Sequence, residues 1–202
     1  MARSANRVSP NSAVGFDFTP HTRWPCRDIR GRLDDLAHVD VDQVAIRFCQ
    51  TRNSSRYGLL ASLTPLRFSN GQRVSSKGGA SWTIQPICDT SHRDMLYLLS
   101  FYLPRFLDHT FDEKLATVVH ELWHISPQFD GDLRRHAGRC YAHGPSQQKY
   151  DERMHALAQQ WLSLDPPAEV FEFLRYDFRQ LVARHGCVLG QSIPTPSLTR
   201  AS

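Results

Sequence analysis

Residues 110–127 leave the chain little freedom. Thr110-Phe111-Asp112-Glu113 places a Thr three residues before a Glu, so each side chain can cover an orphan N–H at a helix start. Phe111, Leu115, Val118, Leu122 and Ile125 follow at steps of four, three, four and three, an apolar stripe of helical period. Pro127 ends it, because proline disfavours helix in the residue before it. A helix is expected here, with its stripe on a core. At about 100° per residue, His120 and His124 fall on the side away from that stripe.

His120-Glu121-Leu122-Trp123-His124 reads H-E-x-x-H. Residues four apart share a helix face, so two imidazoles can address one ion, and the Glu can reach a water held beside it. The expected cofactor is zinc, with His120 and His124 as ligands and Glu121 as general base of peptide-bond hydrolysis. The plainer alternative is an amphipathic helix whose outer face happens to carry two histidines. Trp123, also off the stripe, argues for a second wall of protein over part of the helix.

The chain has 202 residues, enough for one compact domain. Its composition is globular, 41% hydrophobic and 22% charged, and its net charge of +4 falls short of a nucleic-acid signature. Cys26, Cys49, Cys88, Cys140 and Cys187 are odd in number and widely spaced, with no C-x-x-C, so neither a disulfide framework nor a zinc ribbon is expected. Reduced thiols and the lack of an apolar stretch near Met1 suggest a cytoplasmic protein. No apolar run is long enough to span a bilayer, so no membrane partner is expected.

In order, residues 1–15 read as a disordered arm, 16–190 as the folded domain and 191–202 as a tail, loop or terminal strand. A first helix is expected over 19–38. Val44, Ile46 and Phe48 alternate as a half-buried strand; 59–68 is a second strand, broken or placed at an edge by Pro65. Asn70-Gly71 signals a hairpin, Gly78-Gly79 a bend, and Trp82 and Ile84 a third strand, giving an antiparallel meander. The apolar run 95–103 is ambiguous between helix and strand. Helices are expected over 150–162 and from Pro167 to a cap at Gly186. The expected fold class is α+β: a meander packed on the motif helix, with C-terminal helices.

A catalytic zinc takes three protein ligands and keeps one position open. Candidates for the third are His143, His136, Asp130 and Glu152. The pattern H-E-x-x-H-x-x-G-x-x-H fails, having Pro127 at its Gly and Asp130 at its last His. Glu152 also reads as a solvated helix face. His143 sits beside Gly144, which lets backbone approach closely. Cys140 reads as a small buried residue before a ligand. Arg134, Arg135 and Arg139 could steady an acidic substrate or nucleic acid, or form a solvated face. Tyr141 and Tyr150 could hydrogen-bond a developing oxyanion, or pack in the core. His21, His38, His92, His109, His155 and His185 have no partner by spacing.

H-E-x-x-H followed by His143-Gly144-Pro145 resembles the SprT-like zinc proteases. That resemblance implies His143 as the third ligand and a zincin-like single domain. A longer resemblance covers Asp17-Phe18-Thr19-Pro20, Leu60-Ala61, Pro65-Leu66-Arg67-Phe68, the run His120 to Arg135, Gly138 to His143 and Tyr150-Asp151. It is to a bacterial and phage family of predicted metallopeptidases, and implies a peptide or protein substrate without naming it. The reading of a different class is a zinc-binding regulatory module with little turnover, whose basic loop contacts nucleic acid or a protein.

Overall fold

The computed structural model describes residues 15–51, 57–135 and 146–201. Residues 1–14 of the arm expected over 1–15 lie outside them, as do His136, Arg139, Cys140, Tyr141 and His143. The chain opens with β1 (Phe16–Asp17) and α1 (Phe18–Arg32), the latter capped by Asp17, whose carboxylate accepts from Thr19 N. α1 stops short of the expected end and a 3-10 turn at Asp34–Leu36 completes that stretch. There follow β2 (Val44–Gln50), β3 (Ala61–Pro65), β4 (Val74–Lys77), β5 (Ala80–Ile84) and β6 (Tyr97–Leu103). The motif helix α2 (Phe111–Trp123) comes next, then α3 (Gln147–Ser163), α4 (Ala168–Phe171), α5 (Phe178–His185), β7 (Val188–Leu189) and β8 (Leu198–Arg200). The mixture is α+β. No helix among the described residues is long and apolar enough to cross a membrane.

The expected meander does not form. The ambiguous run becomes β6, the central strand of a three-stranded sheet in the order β2-β6-β3. It runs parallel to β2 and antiparallel to β3. The physical reason is burial on both faces: every residue from Tyr97 to Phe101 is buried, so the strand lacks the alternation of a half-exposed one. β3 ends at Pro65, which cannot donate to a ladder and suits an edge.

The hairpin also moves. Asn70 and Gly71 have positive φ of 58° and 73°, but the strands beside them do not pair with each other. Gly78 and Gly79, at φ of 62° and 74°, make the two-residue turn that joins β4 to β5. β8 adds to the other edge of β5, so the tail supplies a strand. The single helix expected from Pro167 to Gly186 is broken: Tyr176 is extended, and Asp177 with Gln180 forms a new capping box that starts α5. Gly186, at φ 82°, ends it as expected.

The main core lies between α1, α2 and one face of the sheet, around Phe18, Ile29, Leu99, Phe101, Leu115 and Leu122. Each fully buried apolar side chain there contributes about 1.5–3 kcal/mol. A smaller cluster of Ala45, Leu66, Met95 and Leu98 covers the opposite face, with Ile84, Ile87 and Ile193 against it. Lys114 is an exception inside the core: its Nζ donates to Leu107 O and Tyr176 O, both at 2.9 Å, and ties the start of α2 to its flanking loops.

Candidate metal centre

The capping box that starts α2 is formed as expected. Thr110 Oγ1 accepts from Glu113 N at 3.3 Å, and Glu113 Oε2 accepts from Thr110 N at 2.9 Å. Leu115, Val118, Leu122 and Ile125 are fully buried, and Phe111 packs at the edge of the same core. The opposite face carries His120 and His124, both half-buried. Their Nε2 atoms stand 2.9 Å apart. Two nitrogens bound to one zinc at about 2.0–2.1 Å sit about 3 Å from each other, so this donor pair fits a shared ion.

The second wall implied by Trp123 is α3. The Trp123 ring is 4% exposed and lies between two guanidiniums, Arg134 at 4.0 Å and Arg153 of α3 at 4.2 Å. Arg134 Nε also donates to Trp123 O at 2.7 Å, and Arg135 donates to both carboxylate oxygens of Asp132. These two arginines of the basic stretch therefore brace the loop after the motif.

A cleft of about 320 Å³ runs along α2. Its floor is Glu113, Ala116, Thr117, His120 and Glu121; residues 58–61, leading into β3, form one side, and Asp151, Met154 and His155 of α3 the other. His109 closes one end. Sequence reasoning missed His109 and His155. The signal for His109 is its place four residues before Glu113, to whose Oε2 its Nδ1 lies at 3.2 Å. His155 carries no local signal; only the packing of α3 on α2 brings it here. The cleft is acidic although the chain is basic: its described lining includes Glu113, Glu121 and Asp151 but no Lys or Arg.

Glu121 is 6% exposed. Burial pushes its carboxyl up to about 7, and a backbone hydrogen bond from Leu63 on β3 partly opposes that. Tyr150, in the first turn of α3, stands against both histidines: its ring centroid is 5.0 Å from that of His120, edge-on, and 5.9 Å from that of His124, stacked at 22°.

After α2 the chain turns back at once. Ile125 and Leu133 form an antiparallel bridge, Ser126 N donates to Asp132 O at 3.2 Å, and Arg134 N donates to His124 O at 2.7 Å. Asp132 organises the loop, accepting from Leu133 N and Asn70 N as well as from Arg135. Gly131 has φ of 88°, and its N–H donates to Tyr97 Oη at 3.0 Å.

Two of the four third-ligand candidates lie in the described residues. Asp130 Oδ1 accepts from Asp132 N at 3.1 Å, and the Asp130 side chain packs on Gly71. Glu152 is exposed and accepts from Gln148 Nε2 at 2.9 Å. Among the described residues, no group of three His, Cys, Asp or Glu side chains is placed to hold a metal ion. His136 and His143 lie between Arg135 and Ser146, outside those residues. Comparison with family models, with curated proteins and with solved structures finds no match to this chain.

Proposed function

We propose that this chain is a zinc-dependent metallopeptidase of zincin-like build. His120, His124 and His143 hold the metal, and Glu121 is the general base. The observation that carries the reading is Glu121 itself, a carboxylate on the floor of a cleft, 6% exposed and raised to about 7, beside His120, whose imidazole also lines the cleft and converges with that of His124. Burying a carboxylate costs free energy, and a structural metal site gains nothing from it.

A zinc ion bound there would supply a Lewis acid and a water acidified towards neutrality. Glu121 accepts a proton from the attacking water and passes it to the leaving amine, a transfer helped by a pKa close to the working pH. The outer edge of β3 borders the cleft through Ala61, and an edge strand offers backbone groups on which an extended peptide can add. The path of the chain favours a ligand from residues 136–145. It leaves from Arg134, bonded to His124, and returns by Tyr150, packed on both histidines. Between His136 and His143, the resemblance of His143-Gly144-Pro145 to the SprT-like ligand loop decides for His143.

Metal analysis and hydrolysis of unfolded casein test the reading together. About one zinc per chain is expected, retained in His136→Ala and in Glu121→Gln but lost in His143→Ala. Glu121→Gln should lower casein hydrolysis about a hundredfold or more. Zinc retained with hydrolysis absent from the wild type, or indifferent to Glu121, would make the protein a metal-binding module. A wild type without zinc would reduce the motif to a coincidence of spacing.

A further inference from the structure

We infer that the chain carries a second binding site, which takes an organic cation with an ammonium head. The site is a cavity of about 340 Å³ between β1, α1, the turn after α4, and α5, a volume within the range of small-ligand sites. Among the described residues, its lining shares none with the cleft on α2, and none of it comes from α2, so the inference stands apart from the metallopeptidase reading. Aromatic rings build the cavity. Phe16 is 5% exposed, and His21, His185 and Phe173 stand around it at 4.3, 5.4 and 5.6 Å between centroids. The His21 ring is held in place by donating from Nδ1 to Asp17 O at 2.6 Å. Trp24, one turn along α1, adds a fifth ring 4.6 Å from that of His21. It stays 43% exposed, and Trp is the side chain whose ring face attracts a cation most strongly.

The charges select the sign of the ligand. Two carboxylates, Glu169 and Glu172, line the cavity against one guanidinium, Arg184. Glu172 Oε1 accepts from Tyr176 Oη at 3.1 Å, which fixes that carboxylate at the wall. The Arg184 guanidinium lies over the Tyr176 ring, 4.1 Å from its centroid, so one ring of this lining already holds a cation by the interaction assigned to the ligand. A neutral apolar ligand would gain the rings but take water from the carboxylates without replacing it. An anion would meet like charge. An ammonium head wrapped in methyl or methylene groups suits the ring faces and the carboxylates together.

Choline and 3,3-dimethylbutan-1-ol have nearly the same shape, but only choline is charged. Each is titrated into the full-length protein while the indole N–H signal of Trp24 is followed by nitrogen–proton NMR, the signal being assigned by its disappearance in Trp24→Phe. Choline should shift it saturably, with a Kd on the order of 1 mM, and the neutral isostere should bind about tenfold more weakly or worse. Nα-acetyl-lysine amide is titrated beside them; either ammonium binding in this way supports the site, and the tighter one tells a methylated head from a primary amine. Glu169→Gln combined with Glu172→Gln, both exposed, should weaken the ammonium about threefold or more at an unchanged melting temperature. No shift at Trp24 up to about 50 mM of either ammonium would overturn the site. Equal affinity for the neutral isostere, or an affinity indifferent to both carboxylates, would overturn it too, leaving an apolar notch. The isostere comparison is made on the wild type, so it decides even if the double variant fails to fold.

Discussion

In the proposed function, Glu121 sets a conflict between stability and chemistry at a single residue. Its carboxyl is moved from 4.5 to about 7 by burial. Below about pH 4.5 the group is protonated whether the chain is folded or not, and burial costs nothing extra. As pH rises, the unfolded chain ionises first, so stability falls until the folded carboxyl titrates near 7; above that the cost stays constant, on the order of 3 kcal/mol. In chelator-treated protein, Glu121→Gln should therefore be the more stable form, with an advantage about 2 kcal/mol larger at pH 8 than at pH 5 by urea denaturation. An advantage that does not grow with pH would mean that Glu121 ionises in the fold as easily as in water.

Among the elements, the proposed metal site depends on the turn-back after α2. α2 alone presents two nitrogens. The loop from Ser126 to Leu133 returns the chain to His124 and is held from the sheet side: Arg67 N donates to Gly131 O at 3.1 Å, and Tyr97 Oη donates to Asp132 O at 2.9 Å. Gly131 is required twice, for its positive φ and because a Cβ there would meet Arg67 Cγ at 2.5 Å. Gly131→Ala should cost about 1–3 kcal/mol of stability and displace Arg134 from His124. The measurement is zinc affinity beside thermal melting. Weaker zinc binding together with a lower melting temperature is expected, and unchanged zinc affinity would separate the loop from the metal site.

For the whole molecule, the sheet depends on a distant segment. Arg47 of β2 is 9% exposed; it donates to Ser100 Oγ at 2.8 Å, to Thr195 Oγ1 at 2.9 Å and to Ile193 O. Phe48 N donates to Gln191 O at 3.2 Å, and β8 pairs with β5 farther on. The last residues are thus a strap across the face of the sheet away from α2. Arg47→Met removes the charge-assisted bonds, each worth about 1.5–3 kcal/mol, and should loosen the strap. Limited proteolysis should then cut after residue 190 faster than in the wild type, with the zinc content preserved. Equal cutting rates would show that β8 holds the tail alone.

What the sequence by itself determined lies close together in the chain. The capping box, the stripe from Leu115 to Ile125, the histidine pair and the stop before Pro127 are local, and helix geometry alone converts their spacing into one face. The cap at Gly186 was legible for the same reason. Tertiary structure decided what spacing cannot encode. The run Tyr97–Leu103 became the central strand because both of its faces are covered, a fact about its neighbours and not about itself. β2 and β3 then flank it instead of pairing in sequence order. Asp151 and His155 reached the cleft through the packing of α3 on α2, two helices more than twenty residues apart in the chain, a separation that no local period spans. Even the behaviour of Glu121 was half hidden: its place beside the histidines follows from the helix, but its raised pKa comes from burial beneath β3, and burial is a property of the assembled fold.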